Sequence, residues 1–140
     1  MAVAFRLEVL RAEHDHKIFS CSVEPLDQYF REQATQDIRR RVSACYVAID
    51  EATSAIAGYY TLVVGGVPLV EMPSQLAKRL PRYASIPAVR MGRLAVDQHY
   101  RGKKLGAALL WDAVLRAARS EIAAFALVVD CSPQKLDQRF

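Results

Sequence analysis

The sequence MGRLAVDQHYRGKKLGAALLWDAVLRAAR, residues 91–119, is the most informative segment of the chain. Leu94 and Val96 are typical of a strand, and the run Arg101-Gly102-Lys103-Lys104-Leu105-Gly106 then leads directly into an amphipathic pattern. We expect a strand over 89–96 and a helix over 102–120. The segment therefore predicts a strand, a basic glycine-containing turn and a helix, in that order.

A turn of this kind can bind an anion. The start of a helix offers main-chain N–H groups without partners and the positive end of the helix dipole, and glycine lets a phosphate oxygen approach the main chain. The motifs GxxxxGK[ST] and GxGxxG are both absent, which excludes a Walker loop and a dinucleotide fingerprint. The turn is suited to a pyrophosphate, and an ordinary strand-to-helix turn is the open alternative.

Positive charge is concentrated around this turn. The chain carries a net charge of +4, but residues 78–104 hold eight basic residues and one acid, Asp97, which gives that segment +7 and leaves −3 elsewhere. Such focusing suits an anionic ligand, either a phosphate-bearing cofactor or a nucleic acid. A solvated basic face is the alternative.

The other hydrophobic patterns predict a mixed sheet with helices. The predicted strands are Phe5–Val9, Ala44–Ile49, Ile56–Val64 and Ile122–Val129, and the predicted helices run from Ser22 to Arg39–Arg41 and over Gln75–Leu80. The apolar run Ile122–Val129 indicates a central strand that is covered on both faces. The fold class is α+β, a mixed and mainly antiparallel central sheet flanked by helices, in one domain over residues 1–140.

Composition excludes several other classes. A hydrophobic fraction of 52% in 140 residues is typical of one globular domain and not of a disordered chain. Arg6 and Glu8 interrupt what would be the apolar core of a signal peptide, and the three cysteines form no CxxC pair. We therefore expect a cytoplasmic protein without a metal site or a membrane span.

The motif residues resemble the acetyl-coenzyme A motif of the GNAT N-acetyltransferases. The matching elements are Leu94-Ala95-Val96-Asp97 and the turn from Arg101 to Gly106, in the family's order. The resemblance implies that Leu94, Ala95 and Val96 line the pantetheine arm. It also implies that the pyrophosphate lies on the amides of Arg101, Gly102, Lys103, Lys104, Leu105, Gly106 and Ala107. Lys104 stands where the family has a glycine, and its Cβ disfavours a left-handed main chain. We expect the lysine to be tolerated, which requires the ordinary geometry of a helix start there.

The resemblance implies an activity. It is the transfer of an acetyl group from acetyl-CoA to a primary amine. The segments Leu26–Phe30 and Pro87–Arg93 resemble the subgroup of toxins from toxin–antitoxin pairs. That similarity implies the amine of aminoacyl-tRNA as the acceptor and an antitoxin as a partner. The alternatives are a general acetyltransferase for small molecules or proteins, and a coenzyme-binding remnant without turnover that acts as an interaction module.

Residues 130–140 depart from the family. Family members continue into a helix with the tyrosine that protonates the leaving thiolate, and no matching tyrosine is found in this tail. The catalytic residue is therefore unknown, although Tyr83, Tyr100 and His99 lie near the motif. We expect a C-terminally shortened acyl-CoA N-acyltransferase fold with reduced turnover and self-association as a homo-oligomer through an uncovered strand edge.

Overall fold

The computed structural model describes residues 4–129, which form a single five-stranded sheet with helices on both faces. The strands are β1 (Phe5–Val9), β2 (Ala44–Asp50), β3 (Ile56–Pro68), β4 (Ser85–Val96) and β5 (Ala126–Val129). The helices are α1 (Glu24–Glu32), α2 (Ala34–Arg39), α3 (Ser74–Ala77) and α4 (Leu105–Ala118). The strands follow one another in sequence order, antiparallel except for the parallel pair β4–β5. The predicted α+β fold with a mainly antiparallel sheet is confirmed.

Two apolar cores lie on opposite faces of the sheet. On one face, Leu26 and Phe30 of α1 pack with Val47 and Tyr59, and the stacked rings of Phe30 and Tyr59 are 4.5 Å apart. On the other face, Leu105 and Leu109 of α4 pack against β3 and β4. Ala57, Tyr60 and Leu62 of β3 belong to this second core, and Ile56 and Tyr59 belong to the first. The sheet is therefore covered on both sides where β3 and β4 pair.

Several element boundaries differ from the predicted ones. The single helix predicted from Ser22 is two helices, because the main chain departs from helical geometry at Gln33. Ser22 is not its cap, since Ser22 has a positive φ of 69° and the helix begins after Val23. The strand predicted to end at Val64 continues to Pro68, because β4 begins early at Ser85 and pairs with it.

The prediction of a central strand over Ile122–Val129 is wrong for the part of the chain that the structure describes. Only Ala126–Val129 form a strand, and this strand lies at one end of the five-strand order. All four of its residues are half-buried, and Ile122 is exposed. An unbroken apolar run is compatible with a central strand. It is equally compatible with a short, partly covered strand that follows an apolar connecting segment.

Gly58 allows α4 to lie close to the sheet. A Cβ atom at Gly58 would lie 2.9 Å from the carbonyl oxygen of Ala95 and 2.9 Å from Cδ1 of Leu109. We predict that Gly58→Ala lowers the free energy of unfolding by about 1–3 kcal/mol through overpacking, measured by urea denaturation. Gly65→Ala is the control, because the nearest atoms to a Cβ there lie 3.8 Å away on the Arg90 side chain. Equal effects of the two substitutions would contradict this explanation.

Candidate cofactor site

Strand β4 contains a bulge and is paired on both sides over only part of its length. Thr61 of β3 lies opposite Arg93 and Leu62 opposite Met91, so Gly92 is an extra residue in β4. The parallel partner β5 covers β4 only from Ala88 to Met91. Within residues 4–129, the β4 edge after the bulge therefore has no strand beside it. Its alternate main-chain groups there are available to an extended ligand.

The turn after β4 enters α4 through two left-handed residues. Gly102 has φ 78°, and Lys104, which immediately precedes the helix, has φ 60° and ψ 24°. The ordinary helical geometry that tolerance of Lys104 required is therefore not what the structure has. Since this position takes the conformation that favours glycine, the glycine that the family motif carries here has a direct steric reason. The same geometry delays α4, which begins at Leu105 and not at Gly102.

Lys104 should therefore be a strained position. A residue with a Cβ in the left-handed conformation destabilises the folded state by about 1–2 kcal/mol. Replacing it with glycine removes this strain, but glycine also has more freedom in the unfolded chain, which offsets part of the gain. We predict that Lys104→Gly raises the free energy of unfolding by about 0.5–1 kcal/mol, measured by chemical denaturation. Lys103→Gly is the matched control and should destabilise the protein, because the φ of Lys103 is not positive. A loss of stability in Lys104→Gly would refute the assigned strain.

The start of α4 is open to an anion, because no side chain competes for its N–H groups in the described part of the chain. The first intrahelical hydrogen bond runs from the Ala108 N–H to the Lys104 carbonyl at 3.2 Å, so the N–H groups of residues 105–107 have no helical acceptor. In the described part of the chain no side chain caps this end. A Cβ at Gly102 would meet nothing within 4 Å, which leaves the turn open. These features fit a pyrophosphate.

Hydrogen bonds attach the turn to the segment before α1. Asp97 is buried, and its carboxylate accepts from the N–H of Ser20 at 3.1 Å and from the N–H of His99 at 2.9 Å. The Arg101 guanidinium donates to the Cys21 carbonyl. The Arg101 side chain therefore positions the turn, and any contribution of Arg101 to phosphate binding through its main chain stays a prediction.

The predicted site residues lie together but differ in how they can act. Five of them are buried and can reach a ligand only through main-chain atoms: Leu94, Ala95, Val96, Leu105 and Gly106. Gly102, Lys103, Lys104 and Ala107 are exposed, and Arg101 is half-buried. Of these, the two lysines can add charge. The geometry thus favours main-chain binding assisted by lysine, and the assignment of each residue stays a prediction.

The candidate proton donors near the motif have other roles or lie in solvent. Tyr100 donates its hydroxyl proton to Asp50 at 2.6 Å, and this hydrogen bond raises the pKa of Tyr100 and lowers the pKa of Asp50. Tyr83 is exposed, and the His99 side chain is 78% exposed. Burial raises the pKa of the Cys45 thiol, which disfavours the thiolate that a nucleophile needs. None of these groups resembles a poised acid or nucleophile.

Residues 4–129 contain neither a cluster of metal ligands nor a membrane-spanning helix. No group of three or more His, Cys, Asp or Glu side chains comes together as metal ligands would. None of the helices there combines the length and the hydropathy that crossing a membrane requires.

These features define a class of protein. A mainly antiparallel sheet, a bulged fourth strand with one free edge, and a basic turn that opens an uncapped helix are the parts of an acyl-coenzyme A binding fold. The chain belongs to the acetyltransferase (GNAT) family, whose family model matches residues 8–136.

The chain is similar to several known proteins. It is 30% identical over 102 residues to the tRNA-acetylating toxin of Mycobacterium tuberculosis (strain ATCC 25618 / H37Rv), which covers 73% of this chain and 59% of the toxin. The solved structure of AtaT complexed with acetyl-methionyl-tRNAfMet has 26% identity and a TM-score of 0.81, covering 91% of this chain and 78% of that one. The structure of AtaTR bound with AcCoA has 26% identity and a TM-score of 0.74, covering 91% and 77%. The chain spans about three fifths of the length of the curated relatives that it matches.

Proposed function

We propose that this chain is an acetyl-CoA-dependent N-acetyltransferase whose acceptor is the amine of an aminoacylated tRNA. The observation that carries the proposal is the uncapped start of α4 beside the free edge of β4, because together they offer a pyrophosphate site and a track for an extended arm. Acetyl-CoA would supply the acetyl group as a thioester. Lys103 and Lys104 would neutralise phosphate charge, and the main chain of Leu94–Val96 would hold the arm.

Main-chain groups can both polarise the thioester and position the reactants in this reaction. An acceptor nitrogen forms a bond to the carbonyl carbon, the carbon–sulfur bond breaks, and one proton passes from the amine to the sulfur. A main-chain N–H on β4 after the bulge can polarise the carbonyl, and fixing both reactants lowers the entropy cost of their encounter. No side chain in the described residues is assigned as the acid, and residues 130–140 lie outside them.

The tRNA acceptor is supported by charge and by the relatives. The basic segment 78–104 carries +7, which suits a polyanion more than a small neutral amine. One relative is named a tRNA-acetylating toxin, and the AtaT structure is described with an acetylated methionyl-tRNA. An antitoxin partner is a further prediction that the toxin-like resemblance implies. Self-association through an uncovered strand edge and a cytoplasmic location stay predictions from the sequence pattern.

An acetyl-transfer assay separates the candidate functions. Labelled acetyl-CoA is incubated with the chain and, in parallel, with aminoacylated tRNA, deacylated tRNA, polyamines and peptides. We expect label to reach aminoacylated tRNA and not deacylated tRNA. Transfer to small amines or peptides alone would contradict the tRNA acceptor and support a general acetyltransferase. Coenzyme binding without transfer to any acceptor would support the remnant.

A further inference from the structure

A row of side chains crosses the sheet at the bulge, on the face that α1 and α2 cover. Cys45 of β2 lies opposite Thr61 of β3, and Thr61 lies opposite Arg93 of β4. Directly opposed residues of antiparallel strands point to the same face. Arg93 immediately precedes Leu94, where the proposed cofactor track begins. This row therefore reaches β4 directly beside the start of that proposed track.

The hydroxyl of Thr61 is a buried polar group without a hydrogen bond. Thr61 is 0% exposed, and its Oγ1 has no partner among residues 4–129. Most buried hydroxyls are paired, and an unpaired one destabilises a fold unless it serves another purpose. The neighbouring Gly92 is half-buried, and a Cβ there would lie 3.5 Å from Oγ1. Because Gly92 has no side chain, no Cβ of that residue stands against the hydroxyl.

Arg93 presents a guanidinium that is held in place but makes no hydrogen bond. Its Cζ lies 3.5 Å from the centre of the Tyr29 ring, and in the described part of the chain it forms no hydrogen bond or ion pair. Stacking on an aromatic ring leaves the N–H donors at the guanidinium edge available for a planar oxygen group.

Asp37, the carboxylate whose pKa the charge of Arg93 lowers, already accepts hydrogen bonds from other side chains. Its carboxylate accepts from the Tyr29 hydroxyl at 2.7 Å and from the Gln33 amide at 3.1 Å. Burial alone would raise the pKa of Asp37, but these two hydrogen bonds and the charge of Arg93 lower it. Asp37 is therefore an anion that orients Tyr29, and it leaves the donors of Arg93 unused.

We propose that Arg93 and Thr61 form a subsite for the carbonyl oxygen next to the acceptor's amine, so that this site selects α-amino acyl groups over simple amines. Both side chains can donate hydrogen bonds, and a guanidinium attracts an oxygen and repels an ammonium group. Arg93 directly precedes Leu94, so an oxygen bound by its guanidinium would lie near the proposed track for the thioester. The inference rests on the proposed function and refines its acceptor.

A matched pair of small acceptors tests the subsite. Alanine methyl ester carries the carbonyl, and 1-methoxy-2-aminopropane has the same skeleton without it. We expect Arg93→Gln to lower kcat/KM for the ester by about tenfold to a hundredfold and for the ether by less than about twofold, with the KM for acetyl-CoA unchanged. Arg93→Lys keeps the charge and should recover only part of the loss. Arg6→Gln, which removes an exposed arginine paired with Glu8, is the control. Equal losses on both acceptors would overturn the proposal.

Thr61→Val separates a functional hydroxyl from a structural one. Valine has nearly the same shape and removes the unpaired hydroxyl, so the melting temperature should rise by about 2–4 °C. We expect kcat/KM for the ester to fall by about fivefold or more at the same time, and Thr61→Ser to restore it. A higher melting temperature with full activity on the ester would overturn the role of Thr61.

A binding measurement keeps the test independent of turnover. N-acetylalanine resembles the product and carries a carboxylate at the position of the carbonyl. Its titration by NMR should give a Kd at least about tenfold weaker in Arg93→Gln than in the wild type. If Arg93→Gln weakens the binding of N-acetylalanine but the wild type acetylates no amine, the subsite is supported and the proposed function is refuted. If Arg93→Gln leaves the binding unchanged and the wild type transfers acetyl groups to aminoacylated tRNA, the proposed function is supported and the subsite is refuted.

Discussion

Lys103→Glu is expected to bind acetyl-CoA about a hundredfold more weakly than the wild type. Lys103 is exposed in the turn that precedes α4, where it can approach a phosphate bound on the free amides of residues 105–107. A charge-assisted hydrogen bond contributes about 1.5–3 kcal/mol, and the glutamate adds repulsion. Isothermal titration calorimetry gives the two dissociation constants.

The control for this charge reversal is Arg31→Glu, on the exposed side of α1. It changes the net charge equally but lies on the opposite face of the sheet from α4, so its effect should stay below about threefold at physiological salt. The wild type and Lys103→Glu should also converge as the ionic strength rises. Equal weakening in both variants would mean that net charge, and not this turn, determines binding.

Leu109→Ala is expected to lower the free energy of unfolding by about 2–5 kcal/mol. Leu109 is 0% exposed, and its Cδ1 lies 2.9 Å from the position of a Cβ at Gly58. Little can fill the cavity left by its side chain, because the strand beneath offers only a glycine. Urea denaturation followed by circular dichroism measures the change.

Trp111→Ala is the matched control in the same helix. The Trp111 side chain is 62% exposed, so its removal should change the free energy of unfolding by less than about 0.5 kcal/mol. If Trp111→Ala destabilised the protein as much as Leu109→Ala, the packing of α4 on β3 and β4 would be wrong.

Local patterns were sufficient to predict the elements around the site. β1 was predicted to the residue, because its alternating side chains leave a clear period of two. β2 was predicted to within one residue from its β-branched and aromatic residues. The strand–turn–helix order from Leu94 into α4 follows from the same kind of signal. The fold class followed from these elements, since short connections between successive strands favour antiparallel pairing.

The errors fall where local sequence permits two conformations. A lysine does not indicate a left-handed main-chain conformation, because glycine is the residue that adopts it readily. The break at Gln33 does not disturb the amphipathic pattern of α1 and α2. The run Ile122–Val129 is apolar throughout, so its pattern fixes neither the length nor the position of β5.

The proposed acceptor subsite could not be predicted from the sequence. Arg93 was counted as one cation among eight, and Thr61 was an ordinary strand residue. Their importance depends on the register of β3 with β4 and on the position of Tyr29, which brings together three elements that are distant in the chain. Such a cluster is a property of tertiary structure.

The central claim is that the start of α4 and the free edge of β4 bind the coenzyme. Its most direct test is an NMR titration of the isotopically labelled chain with coenzyme A, following the main-chain amide signals. We predict that the largest shifts occur in residues 102–107, with a second group in Leu94–Val96, and that both are much smaller in Lys103→Glu. Shifts confined to other parts of the sheet, or none at high micromolar coenzyme, would contradict the claim.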